Sequence, residues 1–158
     1  VIQYIDGANL EELIKACTEK KEFLPVGFVL AVMRDAAQGL NHAHLHKDAK
    51  GQPRPIVHRD VTPRNIMMGF DGVGRVLDFG IARVQGAESR TQVGMVRGTT
   101  AYMSPEQAIG HVPDHRSDLF SIGTLLHETL VGARLFSREN PGKEMRRCTR
   151  RRFRCRRR

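Results

Sequence analysis

The chain has 158 residues, of which 40% are hydrophobic and 27% charged, so it can form one domain with a sizeable core. Its net charge of +9 comes from residues 143–158, which hold ten Lys or Arg and one Glu, while the rest of the chain sums to zero. The body of the chain therefore gives no electrostatic reason to expect a polyanionic partner such as nucleic acid.

Targeting signals and cysteine chemistry narrow the class of protein further. The first residues lack a basic segment followed by an apolar one, so we predict no signal peptide. The apolar run at 23–33 is too short to cross a bilayer, which takes about 20 residues. Cys17, Cys148 and Cys155 form no CxxC pair, which favours a reducing, cytoplasmic location without structural disulfides or a zinc site.

The first half of the chain is predicted to contain a short strand and two helices. Asn9 is a plausible N-cap, and Pro25 suits the first turn of a helix. In chain order, the predicted elements are a buried strand over 1–5, a turn over 6–8, a helix over 9–20, a helix from 25 to about 46, and a polar loop over 47–55.

The second half is predicted to place two short strands before a long loop and two helices. A loop of about 20 residues is unusual within a domain unless it is functional, which is how we interpret residues 81–103. The predicted elements are strands over 66–68 and 75–77, the loop over 81–103, a short helix from Ser104, and an apolar, buried helix over 116–131.

Three polar residues lie close together in the sequence around the predicted strands. Asp60 precedes Asn65 by five residues, and Asp78 follows the second strand. Carboxylate and amide oxygens on adjacent strand ends suit Mg²⁺ that carries phosphate. A separate Asp60 could accept a proton or orient a hydroxyl. This combination of one base and two metal ligands is what phosphoryl transfer requires.

At these residues the chain resembles the eukaryotic-type protein kinases, and the sequence in and around these motifs is most similar to the kinases of myxobacteria. The resemblance covers residues 1–142 and implies a mainly α, α+β protein-kinase-like fold. The motifs that carry it are His58-Arg59-Asp60 with Asn65, Asp78-Phe79-Gly80, Ser104-Pro105-Glu106, and the start of a buried helix at DHRSDLFSIG, whose Asp118 would brace the catalytic loop.

The resemblance implies a role for individual residues in a reaction that uses ATP and Mg²⁺. Asp60 would be the catalytic base, and Asn65 and Asp78 the Mg²⁺ ligands. The other implied roles are adenine contacts at Gln3, Ile5 and Met67, a ribose contact at Asn9, pairing of Arg59 with a phosphate on the activation loop at Thr91 or Ser89, and a substrate-facing position at Thr99.

One residue departs from the pattern of the serine/threonine kinases. Most of them carry a lysine two residues after the base, and this chain has Thr62. Tyrosine kinases also lack that lysine. Thr99 and the resemblance to bacterial kinases favour Ser or Thr as the protein acceptor, and tyrosine stays open as an alternative acceptor.

Residues 1–10, VIQYIDGANL, resemble the hinge between the two lobes of a kinase, and the parts that precede the hinge in the family are not found in these 158 residues. The Gly-rich loop, the strand lysine and the helix glutamate that holds it all precede the hinge in the family. The expectation is therefore a large C-terminal lobe without its N-lobe, which alone binds ATP weakly and transfers no phosphate. The arginine-rich segment 143–158 is interpreted as disordered, or as the product of a shifted reading frame.

Two functions of other classes stay open. The chain could be a non-catalytic kinase remnant that serves as a docking scaffold. Its basic segment could bind nucleic acid through clustered arginine, although only Phe153 could stack on a base. A metal site at His42, His44 and His46 is disfavoured, because only the first and last share a helical face.

Overall fold

The computed structural model describes residues 4–79 and 99–136. Within these ranges the chain forms a small sheet, four helices and two short 3₁₀ turns, at Pro63–Asn65 and Thr99–Tyr102. The helices and strands, in chain order, are β1 (Gly7–Asn9), α1 (Leu10–Lys20), α2 (Val26–His44), β2 (Ile66–Gly69), β3 (Gly74–Val76), α3 (Pro105–Ala108) and α4 (His115–Val131).

The three strands form an antiparallel sheet in the order β1-β2-β3. Ala8 is paired with Met68, and Met67 with Arg75. The predicted strand over 1–5 is wrong where it can be checked, because Tyr4 and Ile5 lie outside any strand and the strand occupies the predicted turn. The small residues of that turn allow the close approach to β2.

Both early helices begin where the sequence predicts. Asn9 accepts a hydrogen bond from the Glu12 amide at 3.0 Å and donates its own N–H to the Glu12 carboxylate at 2.9 Å, which is a capping box. Pro25 is the N-cap of α2. The helix ends at His44, two residues before the predicted boundary. The difference is of the size usual for helix ends.

Helix α2 is the centre of the described structure, where it packs against β3 and α4. Its buried face repeats with the helical period. The buried core consists of Leu10, Val29, Val32, Met33, Ala36, Leu40, Val61, Ile66, Ala101, Tyr102 and Leu125. A mainly helical α+β architecture is therefore confirmed for the described residues, none of whose helices is long and apolar enough to cross a membrane.

Helix α4 differs from its prediction as an apolar, buried helix. Leu119 and Val131 are 52% and 54% exposed. Apart from Leu125, the buried side chains of α4 are polar, namely Ser117, Asp118, Ser121, Thr124, Glu128 and Thr129. Several of them bind neighbouring backbone, as where Ser121 Oγ donates to the Tyr102 carbonyl oxygen at 2.7 Å. The helix supports loops through hydrogen bonds, and this use does not show in its hydrophobic pattern.

Candidate active site

The loop of residues 58–65 rests on a buried carboxylate. Asp118, in the first turn of α4, is 1% exposed. The backbone N–H of His58 donates to its Oδ2 and that of Arg59 to its Oδ1, each at 2.9 Å. His44 Nε2 lies 2.7 Å from Oδ2. Because a carboxylate only accepts, the His44 hydrogen must be on Nε2. The predicted bracing role of Asp118 is therefore visible in its contacts.

Asp60 and Asn65 are in direct contact across the 3₁₀ turn. Asn65 Nδ2 donates to the Asp60 carbonyl oxygen at 2.8 Å and lies 3.4 Å from the Asp60 carboxylate. The Asn65 N–H donates to the Thr62 carbonyl oxygen at 3.0 Å, which closes the turn. Since its Nδ2 faces a carbonyl oxygen, the Asn65 amide presents Oδ1 as an oxygen ligand on the other side.

Asp78 is held next to this pair by three contacts of its neighbours Leu77 and Phe79. The Leu77 N–H donates to the Asn65 carbonyl oxygen at 2.8 Å, and the Leu77 carbonyl oxygen lies 2.7 Å from His58 Nε2. The Phe79 ring packs on His58 with centroids 4.9 Å apart. Asp78 itself is exposed, with a left-handed backbone at φ 52°. That conformation is uncommon outside glycine and turns the chain sharply after β3.

The pair of oxygen donors suits a magnesium ion. Asn65 Oδ1 and the exposed Asp78 carboxylate are hard ligands, and Mg²⁺ typically takes one or two protein oxygens and completes its shell with water and phosphate. In the described part of the chain, no group of three or more His, Cys, Asp or Glu forms a metal cluster. The residues present therefore fit a magnesium ion that arrives with a nucleotide better than a closed structural metal site.

The residues predicted to contact the nucleotide lie partly within the described structure. Met67 on β2 is paired with Asn9 at the end of β1, so these two are neighbours. The Asn9 side chain is engaged in capping α1 through its oxygen, which leaves only Nδ2 to donate to a ribose. Ile5 is half-buried. Gln3 lies outside the described residues.

The predicted regulatory residues are less completely placed. Arg59 is half-buried and has a left-handed backbone at φ 68°. Thr91 and Ser89 lie outside the described residues. The backbone of Thr99 begins the 3₁₀ turn that ends at Tyr102. Thr62, which replaces the lysine of most serine/threonine kinases, is 7% exposed and so is part of the interior.

A polar cluster below the 99–102 turn was not anticipated from the sequence. Tyr102 donates its hydroxyl to Glu128 at 2.6 Å, and Arg134 lies 3.1 Å from the same carboxylate. Burial, and secondly the Glu128 carboxylate, raise the pKa of Tyr102 well above its usual value. The phenol is therefore protonated at neutral pH and donates to Glu128. The sequence signal for this cluster was the charged residue Glu128 in the last turn of a helix that was predicted to be apolar and buried.

Side chains in and directly after the Ser104-Pro105-Glu106 motif bind α4 and the 58–65 loop. Ser117 Oγ donates to Glu106 Oε1 at 2.5 Å. Burial raises the pKa of Glu106, but the Ser117 hydrogen bond and other donors outweigh it, so the net shift is downward. Gln107, which sequence reasoning missed, donates from Nε2 to the Arg59 carbonyl oxygen at 2.8 Å.

Comparison with known proteins agrees with this geometry. The family model described as "Protein kinase domain" matches residues 1–157, through the arginine-rich segment as well. The chain therefore belongs to the protein kinase domain family.

Individual relatives are bacterial protein kinases. The chain is 40% identical over 139 residues to the tyrosine-protein kinase MasK of Myxococcus xanthus, in a match that covers 88% of this chain and 22% of that protein. It is 38% identical over 146 residues to the serine/threonine-protein kinase PknB of Mycobacterium tuberculosis, covering 89% and 21%. The chain thus spans about a fifth of the length of these curated relatives.

A solved structure supports the same fold. The kinase domain of PknI from Mycobacterium tuberculosis, crystallised as a cysteine-to-alanine mutant, superposes with a TM-score of 0.60 at 26% identity. The superposition covers 87% of this chain and 45% of that chain. The predicted resemblance to bacterial protein kinases is confirmed by all three comparisons.

Proposed function

We propose that these residues form the large, mainly helical lobe of a bacterial protein kinase, which transfers the γ-phosphate of ATP to a serine or threonine hydroxyl of a protein. The observation that carries the proposal is the contact between the Asn65 amide and Asp60, at 2.8 Å to its carbonyl oxygen and 3.4 Å to its carboxylate. Asn65, which is itself a proposed metal ligand, thereby fixes the position of Asp60, the proposed base.

The proposed reaction assigns a separate task to each acidic residue. The acceptor hydroxyl oxygen attacks the γ-phosphorus, the bond from that phosphorus to the oxygen bridging the β- and γ-phosphates breaks, and ADP leaves. Asp60 orients the hydroxyl and takes its proton. Asn65 and Asp78 would hold the Mg²⁺, which when bound neutralises charge on the phosphates. Met67 and the Nδ2 of Asn9 would face the adenine and ribose.

The choice of acceptor is the finer part of the proposal. The chain matches a kinase named for tyrosine and others named for serine and threonine at nearly equal identity. Thr62, where most serine/threonine kinases have lysine, favours the tyrosine alternative. We place serine and threonine first because the substrate-facing position of those kinases is a threonine, and Thr99 stands there in this chain.

The proposal is tested in a chimaera that supplies the nucleotide-covering half of the domain. The part of the MasK kinase domain that precedes the matched region is fused before Val1, and phosphate transfer from γ-labelled ATP is measured on matched peptides with one Ser, Thr or Tyr. We expect transfer to Ser and Thr, and a loss of about 10²–10⁴-fold in kcat for Asp60→Asn, as for removal of a general base. Asn65→Ala should raise the Mg²⁺ concentration required for half-maximal rate.

A matched control is the same substitution at a surface aspartate. Asp71 is 53% exposed in its side chain, pairs with Arg75 and accepts from the Val73 N–H, all within the 69–75 turn, so Asp71→Asn should leave kcat unchanged. Transfer that survives Asp60→Asn would refute the assignment of the base. Transfer to tyrosine alone would correct the acceptor, and an inert chimaera with wild-type stability would favour the docking scaffold.

A further inference from the structure

We infer that Gln107 is a positioning residue for phosphate transfer: its amide fixes the peptide that joins Arg59 to Asp60, and with it the direction of the Asp60 carboxylate. The inference deepens the proposed function and rests on it. Gln107 touches neither nucleotide nor acceptor in this proposal and acts only through the backbone of the 58–65 loop.

The peptide between Arg59 and Asp60 needs an external hold. Arg59 has φ 68°, a conformation that a residue with a side chain adopts at an energetic cost. Its N–H is bound by Asp118 at 2.9 Å. The following peptide, however, has only two polar groups. The N–H of Asp60 makes a long contact of 3.3 Å to His58 Nδ1, whereas the Arg59 carbonyl oxygen accepts from Gln107 at 2.8 Å. The Gln107 hydrogen bond is therefore the stronger of the two on this peptide.

The Gln107 amide can occupy only one orientation at this position. Its Oε1 accepts from both the N–H and the Oγ of Ser104, each at 3.0 Å. Ser104 is fully buried, so these donors have no access to water. A reversed amide would place oxygen against the Arg59 carbonyl oxygen and NH₂ against the Ser104 N–H. Only a side chain with one donor and one acceptor satisfies both neighbours.

This arrangement couples two functional segments through one side chain. Ser104 follows the 99–102 turn, which resembles the substrate-facing part of the family, and Arg59 precedes the proposed base. A shift of the substrate-facing segment therefore changes the hold on the peptide before Asp60. Glutamate at 107 would keep the Ser104 contact and lose the Arg59 contact, whereas leucine would lose both.

Amide hydrogen exchange of the 158-residue chain, followed by NMR, tests this geometry without catalysis. In Gln107→Glu we expect the Asp60 amide, which belongs to the same peptide as the Arg59 carbonyl, to exchange about tenfold faster relative to the core amide of Leu125, while the Ser104 amide stays protected. In Gln107→Leu both amides should lose protection. Gln38→Glu, at an exposed position of α2, is the control and should change neither. Unchanged Asp60 protection in Gln107→Glu, or equal loss at Leu125, overturns the inference.

Kinetics in the MasK chimaera supply the functional half of the test. We expect Gln107→Glu to lower kcat about tenfold, with the KM values for ATP and peptide within about twofold, because only the direction of Asp60 changes. A raised KM with kcat unchanged would overturn the positioning role. If the chimaera is inert while the exchange results hold, the proposed function fails and the Gln107 geometry stands.

Discussion

Replacing Asp118 by asparagine should measure how strongly α4 holds the 58–65 loop. The carboxylate accepts from His58 N–H and His44 Nε2 on one oxygen and from Arg59 N–H on the other. Asparagine has a single acceptor oxygen, so in either orientation one buried backbone N–H faces an NH₂ group. A buried donor left unpaired costs about 1–3 kcal/mol, and the lost charge adds to it, so we expect about 2–3 kcal/mol. That is a large fraction of the roughly 5–15 kcal/mol that stabilises a typical domain.

Urea unfolding followed by circular dichroism is the appropriate assay. With an m-value of about 1.5 kcal/mol/M, Asp118→Asn should lower the midpoint by about 1–2 M at unchanged m. Asp71→Asn, the same change at a 53% exposed side chain that pairs with Arg75 and accepts from the Val73 N–H, should move the midpoint little because water can replace what is lost at the surface. Equal midpoint shifts for the two variants would refute the argument that buried backbone donors depend on Asp118.

Two further predictions concern packing and alkaline pH. A Cβ at Gly7 would meet the Met68 carbonyl oxygen far inside contact distance, whereas one at Gly123 would meet nothing. Gly7→Ala should therefore lower the free energy of unfolding by about 1–3 kcal/mol, and Gly123→Ala should raise it by about 0.5–1 kcal/mol. Calorimetry should show a Tm several degrees lower for the first variant and slightly higher for the second. Burial, and secondly Glu128, raise the pKa of Tyr102 in the folded state. The stabilisation that the Tyr102 hydroxyl contributes is therefore complete below the pKa of an unfolded tyrosine, about 10, and is lost as pH rises above that value toward the folded-state pKa. The stability advantage of wild type over Tyr102→Phe, read from urea midpoints, should be smaller at about pH 11 than at about pH 8. An equal difference at the two pH values would contradict the burial argument.

The sequence was sufficient for local features of the fold. Asn9 and Pro25 start the two early helices as predicted, because a cap depends on residues within one turn of each other. The first strand was misplaced, since VIQYI has strand-like residues but the sheet pairs Gly7–Asn9 with β2. Strand pairing of this kind depends on a partner about 60 residues away and on how closely two backbones can approach, which propensity does not report.

The candidate site also combines contacts within a short segment, which the sequence predicted, with contacts between distant segments, which it did not. Asp60 and Asn65 are five residues apart, and the motif predicted their proximity because a short turn determines the distance between them. The contacts that support them join distant segments: His44 reaches Asp118 across 74 residues, and Gln107 reaches Arg59 across 48. Residues of the same types also stand at exposed positions, as His42 and Gln38 do, so no pattern in the sequence could assign His44 and Gln107.

The polar interior of α4 explains why the supporting residues were difficult to predict. A hydrophobic pattern identifies a helix that packs through apolar surface, yet α4 faces backbone loops whose N–H and carbonyl groups must be satisfied where water is excluded. Ser121 and Asp118 meet that requirement by binding the Tyr102 carbonyl oxygen and the His58 amide. If a buried helix must carry polar side chains wherever it supports irregular backbone, those polar residues mark the loops whose geometry matters. In this chain they mark the 58–65 loop and the 99–102 turn, the two segments on which the proposed phosphate transfer depends.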